Sequence, residues 1–513
     1  MKTSATVCKG RRERERERER CTMAPPSSQY VFLILFLLMF LSVDQVTSSP
    51  TTVRLPLRQI TSPRAPNAAS HPAPFEKLAR LAAASLLRAR HLKDPKRDSG
   101  SSALPIPFSR TPLFPHSYGG YSISLGFGTP PQRIPLVLDT GSDLVWVPCT
   151  KSYLCNNCSF PSPGNPDSNA TAVVPVFFPK SSSSARLVGC RNPKCTWIHS
   201  PEFLSRCRDC PLNASAAGCS PVCPPYMIVY GSGSTGGLLL SEALRLSPEA
   251  EGAAVSDFVV GCSVFSSRQP AAGIAGFGRG PASLPSQLGL GRFSYCFISR
   301  RYDDEAGESG SAVLGGAPES SSGGLSFTPF LQNPSSGSPF SVYYYLGLRR
   351  ITVDGKKVKI PHAALMPLPG GDGGTIVDSG TTFTYMEPGV FEAVARAVEG
   401  GVAGRYNRSA PAEQLTGLRP CFSLAAAREE GVRLPELAFH FKGGAKMRLP
   451  LANYFAFAGG SRAVCLTMVT DAGPVDGAGP TIILGSFQQQ NYYVLYDLER
   501  KRLGFRQQSC LDQ

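Results

Sequence analysis

Asp139-Thr140-Gly141-Ser142 and Asp378-Ser379-Gly380-Thr381 are the two runs on which the reading of this chain turns. Each sets an Asp, a hydroxyl residue, a Gly and a second hydroxyl residue behind an apolar extended stretch, Ile134 to Leu138 in one case and Thr375 to Val377 in the other. Asp139 and Asp378 are 239 residues apart, roughly one domain length. A single triplet of this kind is an ordinary Asx turn after a strand. Two in matched context, with Leu144-Val145-Trp146-Val147 after one and Phe383-Thr384-Tyr385 after the other, point to a lobe copied once. Each copy then supplies one carboxylate to a shared site.

The residue types suit acid–base chemistry on a bound water. A carboxylate acting as a base has to be held still and shielded. Gly141 and Gly380 allow tight turns and close backbone approach. The hydroxyls of Thr140, Ser142, Ser379 and Thr381 can hydrogen-bond the carboxylates or brace the turns. Two such loops meeting across a pseudo-two-fold would share one proton and titrate as a coupled pair.

The runs Leu138 to Val147 and Ile376 to Thr382 resemble the two active-site signatures of pepsin-like aspartic proteases. The Cys-rich insert and Tyr230-Gly231-Ser232-Gly233-Ser234 resemble the plant, nepenthesin-like branch. The resemblance covers roughly residues 118 to 510. It implies a mostly β, bilobal fold of two pseudo-symmetric lobes with the active site in the cleft between them. It also implies endopeptidase activity in acid, with Asp139 and Asp378 catalytic. Tyr230 resembles the flap tyrosine that closes over substrate, with Gly231 beside it, and Trp146 the tryptophan that hydrogen-bonds that tyrosine. Ser142 and Thr381 resemble the outer hydroxyls on each carboxylate, and Thr140 and Ser379 the pair bracing the two loops. Gly273 to Gly278 and Ile482 to Gly485 resemble the segments threading past the catalytic loops, a second matched pair that strengthens the duplication. One departure is Ser232, where plant relatives often carry Asp.

The net charge of +15 comes from 52 basic and 37 acidic residues, of which 19 and 8 fall in residues 1–110. The excess therefore sits ahead of the expected lobes, and no basic stripe marks a nucleic-acid surface. The expected organisation is a charged low-complexity extension (1–22), a signal peptide (23–49), a pro-segment or linker (50–114), an N-terminal lobe with the Cys-rich insert (115–316) and a C-terminal lobe (317–513). Val31 to Leu41 has the length of a signal-peptide core and is too short for a comfortable membrane span. Val46-Thr47-Ser48 is a cleavage candidate, and Met23 a candidate initiator. Secretion to the cell exterior follows, with the vacuole as the alternative. Phe75 to Lys93 reads as a basic amphipathic helix. It is either a partly helical linker or, by analogy with related zymogens, an inhibitory segment whose cations sit against the catalytic carboxylates.

Fourteen of the 16 Cys follow the signal region: Cys149, Cys155, Cys158, Cys190, Cys195, Cys207, Cys210, Cys219, Cys223, Cys262, Cys296, Cys421, Cys465 and Cys510. An even set in a secreted chain reads as disulfides with unreadable connectivity. Cys155 with Cys158 and Cys207 with Cys210 leave a zinc knuckle as the alternative. Asn157, Asn169, Asn213 and Asn407 head glycosylation sequons, or are unmodified polar loops. Only 6 His occur, without paired spacing, so metalloprotease and serine-hydrolase readings find no support. No metal or cofactor is expected. Strands are expected at Tyr121 to Gly126, Tyr344 to Val353 and Tyr492 to Tyr496, and a helix at Pro388 to Val398.

Two functions compete. One is a monomeric endopeptidase acting on peptide or protein substrates. The other is a non-catalytic binder on the same fold, resembling xylanase inhibitors, which typically lack an intact pair of motifs. Both motifs are intact here, which favours the enzyme.

Overall fold

Alternation along Tyr121–Phe127 turns Tyr121, Ile123, Leu125 and Phe127 into the core, as expected of a half-buried strand. The computed structural model describes residues 53–59, 74–93, 120–156, 175–199, 222–230, 233–246, 254–267, 273–299, 310–315, 323–334, 338–424, 431–458, 463–471 and 479–510. Thr51–Gln513 group as one compact unit. The extension and signal region, Cys158, Cys207, Cys210, Cys219, Gly231 and the sequons at Asn157, Asn169 and Asn213 lie outside the described residues or at their edge.

The chain is mostly β, and its two halves repeat one strand arrangement. Strand Ile274–Gly276 runs parallel to Gln132–Asp139, with Gly276 opposite Asp139, and antiparallel to Trp146–Pro148. In the second half, Ile482–Leu484 runs parallel to Thr375–Val377, with Leu484 opposite Val377, and antiparallel to Thr384–Met386. Each arrangement gains a further parallel neighbour: Val255–Ser267 beside Trp146–Pro148, and Met468–Val469 beside Thr384–Met386. Short β-rich runs buried on both faces suit such central positions. In each half an apolar-Gly segment threads between the strand entering the motif and the strand leaving it.

A shared sheet joins the halves in the order Ser326–Pro329, Arg502–Gln507, Tyr492–Asp497, Arg292–Cys296, Gly310–Leu314 and Val53–Gln59. Its core is aromatic: Phe293 stacks on Tyr496 at 4.4 Å, and the hydroxyls of Tyr295 and Tyr496 lie 3.0 Å apart. Cys296–Cys510 closes this sheet, Cys149–Cys262 ties strand Trp146–Pro148 to Val255–Ser267, Cys195–Cys223 lies in the insert, and Cys421–Cys465 crosses paired strands. Cys155 and Cys190 are disulfide-bonded as well.

Two expectations shift in detail. Tyr344 to Val353 is two strands rather than one, because the chain changes sheets at Gly347: Tyr344–Leu346 pairs with Thr375–Val377, and Leu348–Val353 with Leu437–Phe441. Helix Pro388–Val402 runs a turn beyond Val398, since Val402 continues the buried stripe of Val390, Phe391, Val394 and Val398.

The basic amphipathic helix is Pro74–Lys93, called α1. Glu76 sits in its first turn, and Arg90, His91 and Lys93 in its last, complementing the helix dipole. Leu78, Leu81, Ala82, Ala89 and Leu92 are buried against Tyr343, Phe383, Tyr385, Phe487, Ala412 and Leu418. Each fully buried Leu contributes about 1.5–3 kcal/mol. No described helix is long and apolar enough to cross a membrane.

Candidate active site

Each motif turns sharply where its strand ends, and the two turns brace one another. Thr140 N donates to Ser379 Oγ at 3.0 Å, and Ser379 N donates to Thr140 Oγ1 at 2.9 Å. Ser379 Oγ also donates to Leu138 O at 2.8 Å. This reciprocal lock holds Asp139 and Asp378 side by side in the interior, 1% and 0% exposed.

The carboxylates are held alike. Asp139 accepts from Gly141 N at 3.0 Å and from Ser142 Oγ at 2.6 Å. Asp378 accepts from Gly380 N at 3.0 Å and from Thr381 Oγ1 at 2.6 Å. The glycines are required by the approach of the opposite loop. A Cβ on Gly141 would lie 2.6 Å from Asp378 Oδ1, and one on Gly380 would lie 2.3 Å from Asp139 Oδ1. The sequence-derived set Asp139, Thr140, Gly141, Ser142, Asp378, Ser379, Gly380 and Thr381 therefore converges on one point.

The electrostatics of the pair are not alike. Burial pushes the Asp139 carboxyl up to about 6, aided by the Asp378 charge and opposed by Arg88, Ser142 and Gly141. Burial also acts upward on Asp378, but Arg88, Thr381 and Gly380 outweigh it, and a hydrogen bond with Asp139 adds to them. Asp378 is thus held below its ordinary value. In this arrangement Asp139 is the first of the pair to take up a proton as pH falls, and Asp378 keeps its negative charge longer.

Arg88 of α1 occupies the site. Its Nη2 donates to Asp139 Oδ1 at 2.7 Å and its Nε to Asp378 Oδ2 at 3.3 Å. Burial would lower its pKa, but the two carboxylates raise it above the ordinary value. Phe383 N donates to Ser85 Oγ at 2.9 Å, so the helix is seated on the chain just after Asp378. Tyr343 Oη donates to Leu92 O at 3.2 Å, Arg90 pairs with Asp471 at 2.7 Å, and Lys93 pairs with Glu387. Lys77, Arg80, Arg88 and Arg90 are all cations of this helix, and helical phase decides which meets the carboxylates.

Tyr230 ends strand Tyr226–Tyr230, is buried, and accepts a hydrogen bond from Trp146 Nε1 at 3.0 Å. The His91 ring of α1 lies 6.1 Å from the Tyr230 ring, and burial, together with the Arg88 charge, pushes its pKa down to about 3. Its Nδ1 is buried without a hydrogen-bond partner. Asp143, just past the first motif, accepts from Gly280 N at 2.9 Å, and burial pushes it up to about 7. Sequence reasoning passed over His91, Asp143, Glu387 and Asp471. Asp143 alone carried a signal, its place within the longer run Leu138 to Val147.

Cys195, His199 and Cys223 present ligand atoms within 4.8 Å of one another. The Cys195–Cys223 disulfide leaves these sulfurs no thiolate for a metal. Asn407 is exposed, between helix Pro388–Val402 and the following helix Ala410–Thr416.

Comparison with known proteins adds two sequence profiles, described as Xylanase inhibitor N-terminal over residues 121–316 and Xylanase inhibitor C-terminal over residues 343–507. A probable aspartyl protease of Arabidopsis thaliana is 32% identical over 76% of this chain and 82% of its own length. Aspartic proteinase nepenthesin-2 of Nepenthes gracilis is 31% identical over 76% of this chain and 78% of its own. Among solved structures, edgp matches with a TM-score of 0.57 at 22% identity, covering 77% of this chain and 93% of that one. Basic 7S globulin from soybean matches at 0.54 and 21%, covering 76% and 94%. At such identities the two structures speak for the fold alone.

Proposed function

The chain belongs to the plant pepsin-like aspartyl proteases, the nepenthesin-like branch, and on that premise we propose that it is a secreted aspartic endopeptidase made as a precursor. The observation that carries the proposal is the braced pair Asp139 and Asp378 with its unequal carboxyls. The ionised carboxylate takes a proton from water as the oxygen attacks a peptide carbonyl. The protonated partner donates to the carbonyl oxygen as charge develops there. Collapse of the tetrahedral intermediate passes a proton to the leaving amine and breaks the C–N bond. Tyr230, held by Trp146, positions substrate from the facing strand.

With Arg88 between the carboxylates, no peptide carbonyl reaches them, so α1 is an inhibitory segment. Acid releases it, because protonating either carboxylate removes its attraction to Arg88. The disulfides suit an oxidising compartment, and the exposed Asn407 suits glycosylation.

The profile descriptions favour a second reading, a binding protein that inhibits another enzyme. One experiment separates the two. The purified precursor is acidified, and cleavage of a denatured protein is followed by mass spectrometry beside Asp139→Asn. The enzyme reading expects fragments from wild type together with loss of the segment before Tyr118, and none from the folded variant. Tight binding to a partner enzyme without cleavage of any peptide between about pH 2 and 7 contradicts it.

A further inference from the structure

Beyond the carboxylate pair, α1 covers a second charged surface. Glu387 and Asp471 both lie close to Tyr385. Tyr385 Oη donates to Asp471 Oδ2 at 3.0 Å, and Lys93 Nζ lies 5.6 Å from the Tyr385 ring centroid while pairing with Glu387. Arg90 Nε donates to Asp471 Oδ1 at 2.7 Å. Both acids are largely shielded, with side chains 23% and 11% exposed. The chain itself thus seats two cations here, each on a carboxylate and one of them also over an aromatic face.

The place of this surface matters. Arg88 marks the position of the reacting bond, and Arg90 and Lys93 lie about 3 and 7.5 Å further along the axis and on other sides of a helix about 10–12 Å across. An extended peptide rises about 3.3 Å per residue. Two or three extended residues and a long side chain such as that of lysine or arginine together match the offset to the acids that α1 vacates. Phe383 and Tyr385 give that stretch an apolar floor, and both are fully buried while α1 is seated.

We propose that Glu387 and Asp471, together with Tyr385, form a subsite that selects peptides carrying a lysine or arginine within about three residues of the cleaved bond. The inference rests on the endopeptidase reading above and adds its substrate class. The acids do two jobs in turn. They hold the basic turn of α1 in the precursor, and they receive a basic substrate side chain once the helix has gone.

The test uses pairs of peptides that differ at one residue, lysine against norleucine, placed in turn at three positions on each side of the cleaved bond. The protein is freed of the segment before Tyr118 by acidification, or by limited proteolysis where acid leaves it in place. The ratio of kcat/KM within each pair is read, not the absolute rate. The expected ratio is about three- to tenfold in favour of lysine at one or two positions, falling towards one near 1 M salt. It is also expected to fall towards one in Glu387→Gln with Asp471→Asn, and to be partly kept in Glu387→Asp. A ratio of one at every position, or an unchanged ratio in the double variant, overturns the subsite and leaves the enzyme standing. If no peptide is cleaved, the endopeptidase reading fails, and fluorescence anisotropy of the same peptides on the same protein still decides the subsite. Equal affinity for lysine and norleucine peptides overturns it.

Discussion

The two loops at the centre of this molecule match in their backbone and differ in what surrounds them. Loop 139–142 and loop 378–381 make the same two hydrogen bonds to their carboxylates at the same distances, 3.0 and 2.6 Å. Yet one carboxyl is raised and the other lowered. The cover over them is also lopsided. Ser85, Arg90, Leu92 and Lys93 of α1 engage the second half of the chain, while the first half meets Arg88 through Asp139 and His91 through Tyr230. Duplication supplies two equal holders. Unequal neighbours, Arg88 among them, then set the two carboxyls apart in the precursor.

If the pair works as a unit, equal chemistry should be lost from either side. Asp139→Asn and Asp378→Asn are each expected to lower kcat/KM by at least about 10³-fold with the fold intact by circular dichroism. A large loss from one and a small loss from the other would break the comparison, since it would make one loop merely structural.

The cover comes next in size. Arg88→Ala is expected to raise peptide hydrolysis by the intact, uncleaved precursor about 100-fold at pH 5, because a buried cation on two carboxylates is removed. Mass spectrometry must show residues 74–93 still attached. His91 sharpens the same point. Docked, it is neutral with a value near 3, against an ordinary 6.5 for a released segment. A lowered histidine favours docking above the ordinary value and opposes it increasingly as pH falls towards the docked one, by about tenfold per pH unit. Arg88 repels the charged ring and Asp378 attracts it, and Tyr230 packs beside it. His91→Gln is therefore expected to make the release of α1, followed by stopped-flow fluorescence, depend less steeply on pH between about 6.5 and 3. An unchanged slope would assign release to the carboxylates alone.

The smallest effect concerns the brace. Thr140→Val removes the acceptor for Ser379 N, and is expected to cost about 1–3 kcal/mol in urea unfolding. Ser379→Ala should cost a similar amount, as it strands Thr140 N. Similar values would support matched holders, and a one-sided cost would not.

Much of this was legible in the sequence because local rules and the repeated motif agree. The residues of both motifs, the partner pair Trp146 and Tyr230 and the segments Gly273 to Gly278 and Ile482 to Gly485 fall together in space as their matched context implies. The α1 stripe is periodic, so the helix was readable too. Its consequences were not. Which cation of α1 meets the carboxylates depends on helical phase against a distant lobe. Glu387 follows Tyr385 by two residues, but Asp471 is 86 residues from that tyrosine and carries no motif, and only the fold sets it there. His91 and Asp143 owe their shifts to burial, which no spacing encodes.

The most direct test of the shared proton is the pH profile of kcat/KM for the protein freed of α1, measured from pH 2 to 8, wild type against both Asn variants. One ionised and one protonated carboxyl predict an acid maximum in wild type, with a fall towards neutrality as the shared proton leaves and a fall at the acid end as the remaining carboxylate is protonated. Neither variant should show that profile. Cleavage that persists undiminished at pH 8, or in a folded Asp139→Asn or Asp378→Asn protein, would contradict the account.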